Sequence, residues 1–278
     1  MLGWVLLALW RAKEDAMALE TVLLSWHDVA AEVVPGRGAL VTSLKVGSRD
    51  VLFLDRPSLE DTTKNVRGGI PLLFPFAGRL EDERLLSDGT TMKQHGFGRN
   101  RAWVVRETEK ERVCMRLVSD AETRAQYPYE FEAEHEVRLL PRGLELELIV
   151  NNPGPRPLPL SPGWHPYFRC PAAQKSLVTG DVSGFPPDRL GDDREFDFGL
   201  TPPATGRTRF EIPGTGGVRI SFSPAMRHMQ FWSQPGRDFI CLEPFWGKAN
   251  TINTERRLEV PPGQAREVWM RIELEGSR

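Results

Sequence analysis

The residues of this 278-residue sequence whose types and surroundings suit chemistry are a carboxylate beside an apolar run, a few histidines and some loop arginines. Glu243 ends the run Phe239-Ile240-Cys241-Leu242 and is followed by Pro244-Phe245-Trp246-Gly247. Glutamate is rarely buried without a purpose. At a strand end facing apolar and aromatic groups its pKa is raised, as a general base near neutrality requires; a surface glutamate is the plain alternative. His165 lies between Trp164 and Pro166-Tyr167-Phe168, at the end of a proline-dense connector, Pro153 to Pro162. An imidazole among aromatics suits a sugar site, because C–H faces pack on rings while the nitrogen reaches a ring oxygen. A packed histidine in a rigid turn is the alternative there. His95, in Gln94-His95-Gly96-Phe97-Gly98-Arg99, stands beside two glycines whose missing side chains let a ligand approach the backbone. Arg79, ending Phe74-Pro75-Phe76-Ala77-Gly78-Arg79, offers a fixed fork of donors to hydroxyls or to a carboxylate. His135 sits on the apolar side of a strand pattern and reads as a core histidine. His27 and His228 receive no role. Arg67, Lys93, Arg99 and Arg101 would suit a phosphate, although loop cations are usually solvated.

Other chemistries lack their signatures. Gly214-Thr215-Gly216-Gly217 follows a proline and leads into strand-like residues, so it reads as a turn and not as a dinucleotide loop, which needs a helix opening after it. There is no GxSxG elbow, no HExxH and no His-x-His pair, so no cofactor and no metal is expected. Cys114, Cys170 and Cys241 are an odd number without CxxC spacing, which fits a reducing, cytoplasmic setting. Thirty-six Lys+Arg against 38 Asp+Glu give a net charge of −2 without a basic stripe, which argues against nucleic acid or an anionic membrane as the main partner. A small molecule is the expected partner.

The elements that must position these groups are strands. Twenty-three prolines and 25 glycines, spread along the chain, leave little room for long helices. From Phe131 to Leu139 the odd positions are apolar or His and the even ones charged, which a strand sorts onto two faces. Leu144 to Leu148 repeats the pattern after a turn at Pro141-Arg142-Gly143, and Val268 to Leu274 alternates again. Further strands are predicted over 39–46, 51–54, 103–107, 112–118, 218–222, 229–232 and 239–242. Many short strands without alternating helices favour an all-β antiparallel sandwich or barrel over a βαβ fold. No composition shift divides the chain, and a single domain over 18–278 is expected. Residues 1–17 read as an extension: Met1 to Trp10 is apolar but too short to span a bilayer, which takes about 20 residues, and Met17 reads as the start.

Together, several segments resemble the aldose 1-epimerase (mutarotase) family, near its bacterial hexose-6-phosphate mutarotase-like branch. They are Gly68-Gly69-Ile70-Pro71 with Phe76 to Arg79, His95-Gly96-Phe97, Trp103, Tyr127-Pro128-Tyr129, His165 to Phe168, and Cys241 to Pro244 with Asn250. The resemblance runs from about residue 25 to the C-terminus. It implies a large galactose mutarotase-like β-sandwich with its site in a cleft across one sheet. It also implies Glu243 as general base, His165 as general acid, and His95 and Arg79 as substrate-binding groups. The family's hydroxyl-binding aspartate has no clear match among Asp181, Asp188, Asp192, Asp193 and Asp197, and Thr208-Arg209-Phe210 stands near its place. The implied activity is interconversion of the α and β anomers of an aldose or sugar phosphate. Two other functions fit the same residues: a sugar-binding or sensory protein without turnover, motivated by the missing aspartate, and a glycoside hydrolase or lyase, since a glycosidase needs two carboxylates.

Overall fold

The computed structural model describes residues 19–85, 88–185, 190–191 and 194–276. The candidate aspartates Asp188, Asp192 and Asp193, and the 1–17 extension, lie outside them. An eight-stranded antiparallel sheet forms one layer, in the order Thr179–Gly180, Arg207–Ile212, Gly216–Phe222, Ala265–Leu274, Gly143–Asn151, Glu132–Leu140, Arg112–Val118, Val104–Thr108. A six-stranded sheet forms the other. Its path is Phe196–Leu200, His228–Ser233, Phe239–Phe245, Gly163–Trp164, Leu72–Leu73, with Tyr167–Arg169 also paired to Phe239–Phe245. A four-stranded sheet runs from Val22–Trp26 to Arg49–Asp50. The helices among the described residues are short, the longest α-helix being the six-residue Ala121–Gln126.

Alternation explains the layering. Ala133, Val137 and Leu139 turn into the core with Leu144, Leu146, Leu148, Met270 and Ile272, all buried. The charged partners stay on the wet face, where Arg112 meets Glu136 at 2.9 Å and Arg138 meets Glu145 at 2.7 Å. On the six-stranded sheet, Met229, Phe231, Ile240 and Leu242 join the same core. Their neighbours Gln230, Trp232, Cys241 and Glu243 therefore occupy the other face. That second face carries the chemistry.

The all-β sandwich expected from the sequence is what forms. Some boundaries differ. The predicted strand over 51–54 has only isolated bridges, Leu52 to Phe168 and Leu54 to Gly68. The strand predicted over 239–242 runs on to Phe245, so Glu243 is inside a strand and not at its end. Pro244 lies within that strand, in register with Met229.

Candidate active site

Glu243, His165, His95 and Arg79 meet in one cleft of about 390 Å³ on the outer face of the six-stranded sheet. Glu243 is 2% exposed, and its register partner across the ladder is Gln230. His165 follows the Gly163–Trp164 strand, its backbone N–H donating to the Pro71 carbonyl at 3.0 Å. Its Nε2 lies 3.3 Å from Glu243 Oε1. Tyr167 stacks on the imidazole at 4.6 Å, and Trp232 meets it edge-on at 5.6 Å. The aromatic surroundings predicted for His165 are thus real, with one correction. Trp164 faces the core, where its Nε1–H donates to His135 Nε2 at 3.3 Å, and Trp232 takes the place expected for it. His135 is the core histidine the pattern predicts.

His95 has a defined proton position. The Gly78 amide donates to its Nδ1 at 3.0 Å, so the neutral ring carries its hydrogen on Nε2. The His95 amide returns a bond to the Gly78 carbonyl at 2.9 Å, coupling the segment that bears His95 to the one that bears Arg79. The neighbouring glycines do not open the backbone to a ligand, as the sequence suggested. Gly96 has φ +63°, and a Cβ on it would lie 2.4 Å from the Phe74 carbonyl oxygen; on Gly98 it would lie 2.8 Å from Phe74 Cβ. Both glycines serve tight packing that fixes His95.

Burial sets the electrostatics. It pushes the Glu243 carboxyl well above the usual carboxylate range, and the Asp197 charge adds to this while Arg99 opposes it. It holds the His165 imidazole down to about 3, helped by Arg99. His95 is held well below its ordinary value by burial first, then by Arg99, His165 and Arg79. Near neutral pH both imidazoles are therefore neutral.

Among the described aspartates, Asp197 stands in the cleft, on the Phe196–Leu200 strand. Gln230 donates its amide to Asp197, and Gln230 Oε1 lies 2.8 Å from His228 Nε2. His228, unassigned from sequence, thus anchors this chain. Asp181 lies elsewhere, accepting from the Arg209 amide at 2.7 Å. Thr208-Arg209-Phe210 belongs to the eight-stranded sheet, so it does not stand in for the aspartate. The alternation Phe196-Asp197-Phe198-Gly199-Leu200 is the sequence signal that could have singled out Asp197 from the other candidate aspartates. Asn250 is structural: its Oδ1 accepts from Asn253 at 2.6 Å. Of the four candidate phosphate cations, Arg67 and Arg99 line the cleft. Arg101 instead pairs with Asp120 and Glu122, and Lys93 is exposed outside the lining. Arg67 sits over the Trp232 ring at 5.4 Å, and the Arg99 Nε is buried without a partner. Glu195 also borders the cleft, accepting from Trp232 Nε1 at 2.7 Å, so Glu243 is one carboxylate of several there. Among the described residues one group of three donors stands close enough to share a metal ion: ligand atoms of His165, Cys241 and Glu243 lie within 4.8 Å of one another.

The class of protein that the fold and site define is a large antiparallel β-sandwich with a buried carboxylate–imidazole pair, a second histidine and arginines in one polar cleft. The aldose 1-epimerase family model matches residues 22–183, and the chain belongs to that family. It is similar to the crystal structure of the Slr1438 protein from Synechocystis sp. PCC 6803, with 30% identity, a TM-score of 0.86, and coverage of 92% of this chain and 96% of that one. The fold is shared with a galactose mutarotase related enzyme from Lactobacillus acidophilus at 18% identity, TM-score 0.75, covering 92% and 98% of the two chains. A Salmonella typhimurium protein provisionally named glucose-6-phosphate 1-epimerase is 30% identical over 117 residues, 41% of this chain and 37% of its own length. No helix among the described residues is long and apolar enough to cross a membrane.

Proposed function

We propose that the protein interconverts the α and β anomers of an aldose bearing a phosphate ester. The observation that carries the reaction is the 3.3 Å contact between Glu243 and His165 at the wall of a sugar-sized cleft. Mutarotation removes a proton from the anomeric hydroxyl and delivers one to the ring oxygen. The ring opens to the aldehyde, C1–C2 rotates, and the reversed transfers close the ring on the other face. In this reading the proton that the buried pair shares moves from Glu243 onto His165 when the closed sugar binds, so that Glu243 takes the first proton and His165 gives the second. Each positioned acid or base is worth typically about 10² to 10⁴ in rate. Neutral His95, its Nε2–H free to donate, steadies charge on a sugar oxygen, and Arg79 binds hydroxyls. Asp197, held by Gln230, accepts from further hydroxyls.

Arg67 and Arg99 support the phosphate, since guanidinium forks match its oxygens and the Arg99 Nε lacks any other partner. The name of the Salmonella relative is consistent with that substrate class. Anomer-exchange NMR on α-glucose 6-phosphate and α-glucose tests both parts. Acceleration over buffer is expected, with kcat/KM at least about tenfold higher for the phosphorylated sugar, and Arg67→Ala removing most of that preference. Binding without acceleration would instead make this a sugar-binding protein, and release of reducing sugar from an oligosaccharide would make it a hydrolase.

A further inference from the structure

Cys241 takes no part in the chemistry above, yet its thiol is fully buried beside the groups that do. We propose that His165, Cys241 and Glu243 form an inhibitory binding site for one thiophilic divalent cation, zinc being the ion that fits. Strand geometry brings the ligands together. Cys241 and Glu243 are two residues apart on Phe239–Phe245 and so project from the same face, while Tyr167 pairs with Cys241 and sets His165 beside them. One nitrogen, one sulfur and one oxygen donor are a zinc set, and three protein ligands leave a fourth position for water on the cleft side. A tetrahedral zinc holds its donors roughly 3.5 Å apart. His165 and Glu243 are already at 3.3 Å, and all three donors lie within 4.8 Å, so small side-chain rotations close the site around an ion. His165 Nδ1 is buried without a hydrogen-bond partner, so no hydrogen bond there has to break when the ring turns towards an ion. Binding forms the metal–thiolate bond and releases the thiol proton to solvent.

The sequence hides this site because its ligands come from segments more than seventy residues apart, so no ligand-spacing motif exists. A bound ion engages both the proposed base and the proposed acid, so it competes with the sugar. Only that consequence rests on the mutarotase reading; the binding itself does not.

The test is a titration of the reduced full-length chain with Cd²⁺, following the ultraviolet thiolate-to-cadmium charge-transfer band in a Cys114→Ser background. The expected result is a band that saturates at one equivalent, is abolished by competing Zn²⁺, and is absent from the Cys241→Ser chain. His165→Gln should keep the thiol but weaken cadmium binding at least about tenfold. Saturating Zn²⁺ should slow anomer exchange in the wild type at least about tenfold and leave Cys241→Ser within about twofold of its own metal-free rate. If Cys241→Ser does not fold, Cys241→Ala serves the same comparison. A band that survives loss of Cys241, that His165→Gln leaves unchanged, or that never saturates overturns the proposal. Metal binding without any anomer exchange in the metal-free enzyme would uphold the site and count only against the proposed reaction.

Discussion

At the scale of the residue, one proton shared between two buried groups governs the site. It can sit on the imidazole of His165, leaving Glu243 as a carboxylate, or on the carboxyl of Glu243, leaving His165 neutral. Both arrangements hold the same number of protons, and burial favours the uncharged one. In the proposed cycle the uncharged arrangement is the one reached when the sugar ring has opened. The proposed cycle therefore starts from the arrangement that burial disfavours and returns to the favoured one as the ring opens. The same burial has a stability consequence with a definite sign. The folded Glu243 carboxyl titrates above its unfolded value, so the native chain holds a proton that the unfolded chain has lost above about pH 4.3. Stability is therefore given up as pH rises through that window, by about 1.4 kcal/mol per pH unit. Glu243→Gln, which has no proton to lose, should melt higher than wild type at pH 7 to 8, with the gap closing near pH 4. Thermal melts across that range check it, and equal melting temperatures at pH 8 would show that the carboxylate is not buried.

At the scale of the element, loops held by backbone contacts place groups that the strands alone would leave apart. The buried Arg37 donates to the carbonyls of Ser58, Leu59, Asp61 and Lys64 at 3.0 to 3.2 Å and so shapes the loop that leads to Arg67. The turn at Gly96 fixes His95 against Gly78 in the same way. Gly96→Ala combines a left-handed backbone with a 2.4 Å clash against a carbonyl that cannot move. A loss of more than about 2 kcal/mol in denaturant unfolding is expected, with anomer exchange falling alongside; a neutral effect would mean that the turn does not position His95. The alternating segments were legible in the sequence because a wet face and a dry face sort side chains with period two. Glu243, His165, His95 and Arg79 were legible because unusual neighbours marked them. Asp197 stayed one candidate among five and Gln230 went unmarked, because alternation in 196–200 and 229–232 sorts side chains onto faces without telling which polar ones meet the site. Trp232 was missed because Trp164, nearer to His165 in sequence, turns the opposite way on its strand.

At the scale of the whole molecule, one continuous core from Leu24 to Leu274 carries both sheets, and the buried histidines tie its stability to pH. Burial holds His165 and His135 down to about 3 and lowers His95 and His228 as well. Each is protonated in the unfolded chain below about pH 6.5 and stays neutral in the native one. Their contribution is present above that pH and is lost as pH falls towards 3. Glu243 and Glu147, the latter pushed up to about 7 first by burial and then by Glu267, act in the opposite direction, but the histidines outnumber them. The melting temperature should therefore fall steadily between pH 6.5 and 4.5, with net proton uptake on unfolding; a flat profile there would mean that these imidazoles are solvated. The core that sets this pH response also holds the cleft wall on which the proposed proton transfer takes place.

The most direct measurement is the rate of α-to-β equilibration of glucose 6-phosphate, followed by NMR or optical rotation, for the wild type and for Glu243→Gln at matched folded concentration. Clear acceleration over buffer by the wild type is predicted, with a loss of about 10² to 10⁴ in the variant and sugar binding retained. A variant that equilibrates the anomers at the native rate would contradict the role of Glu243 as the base.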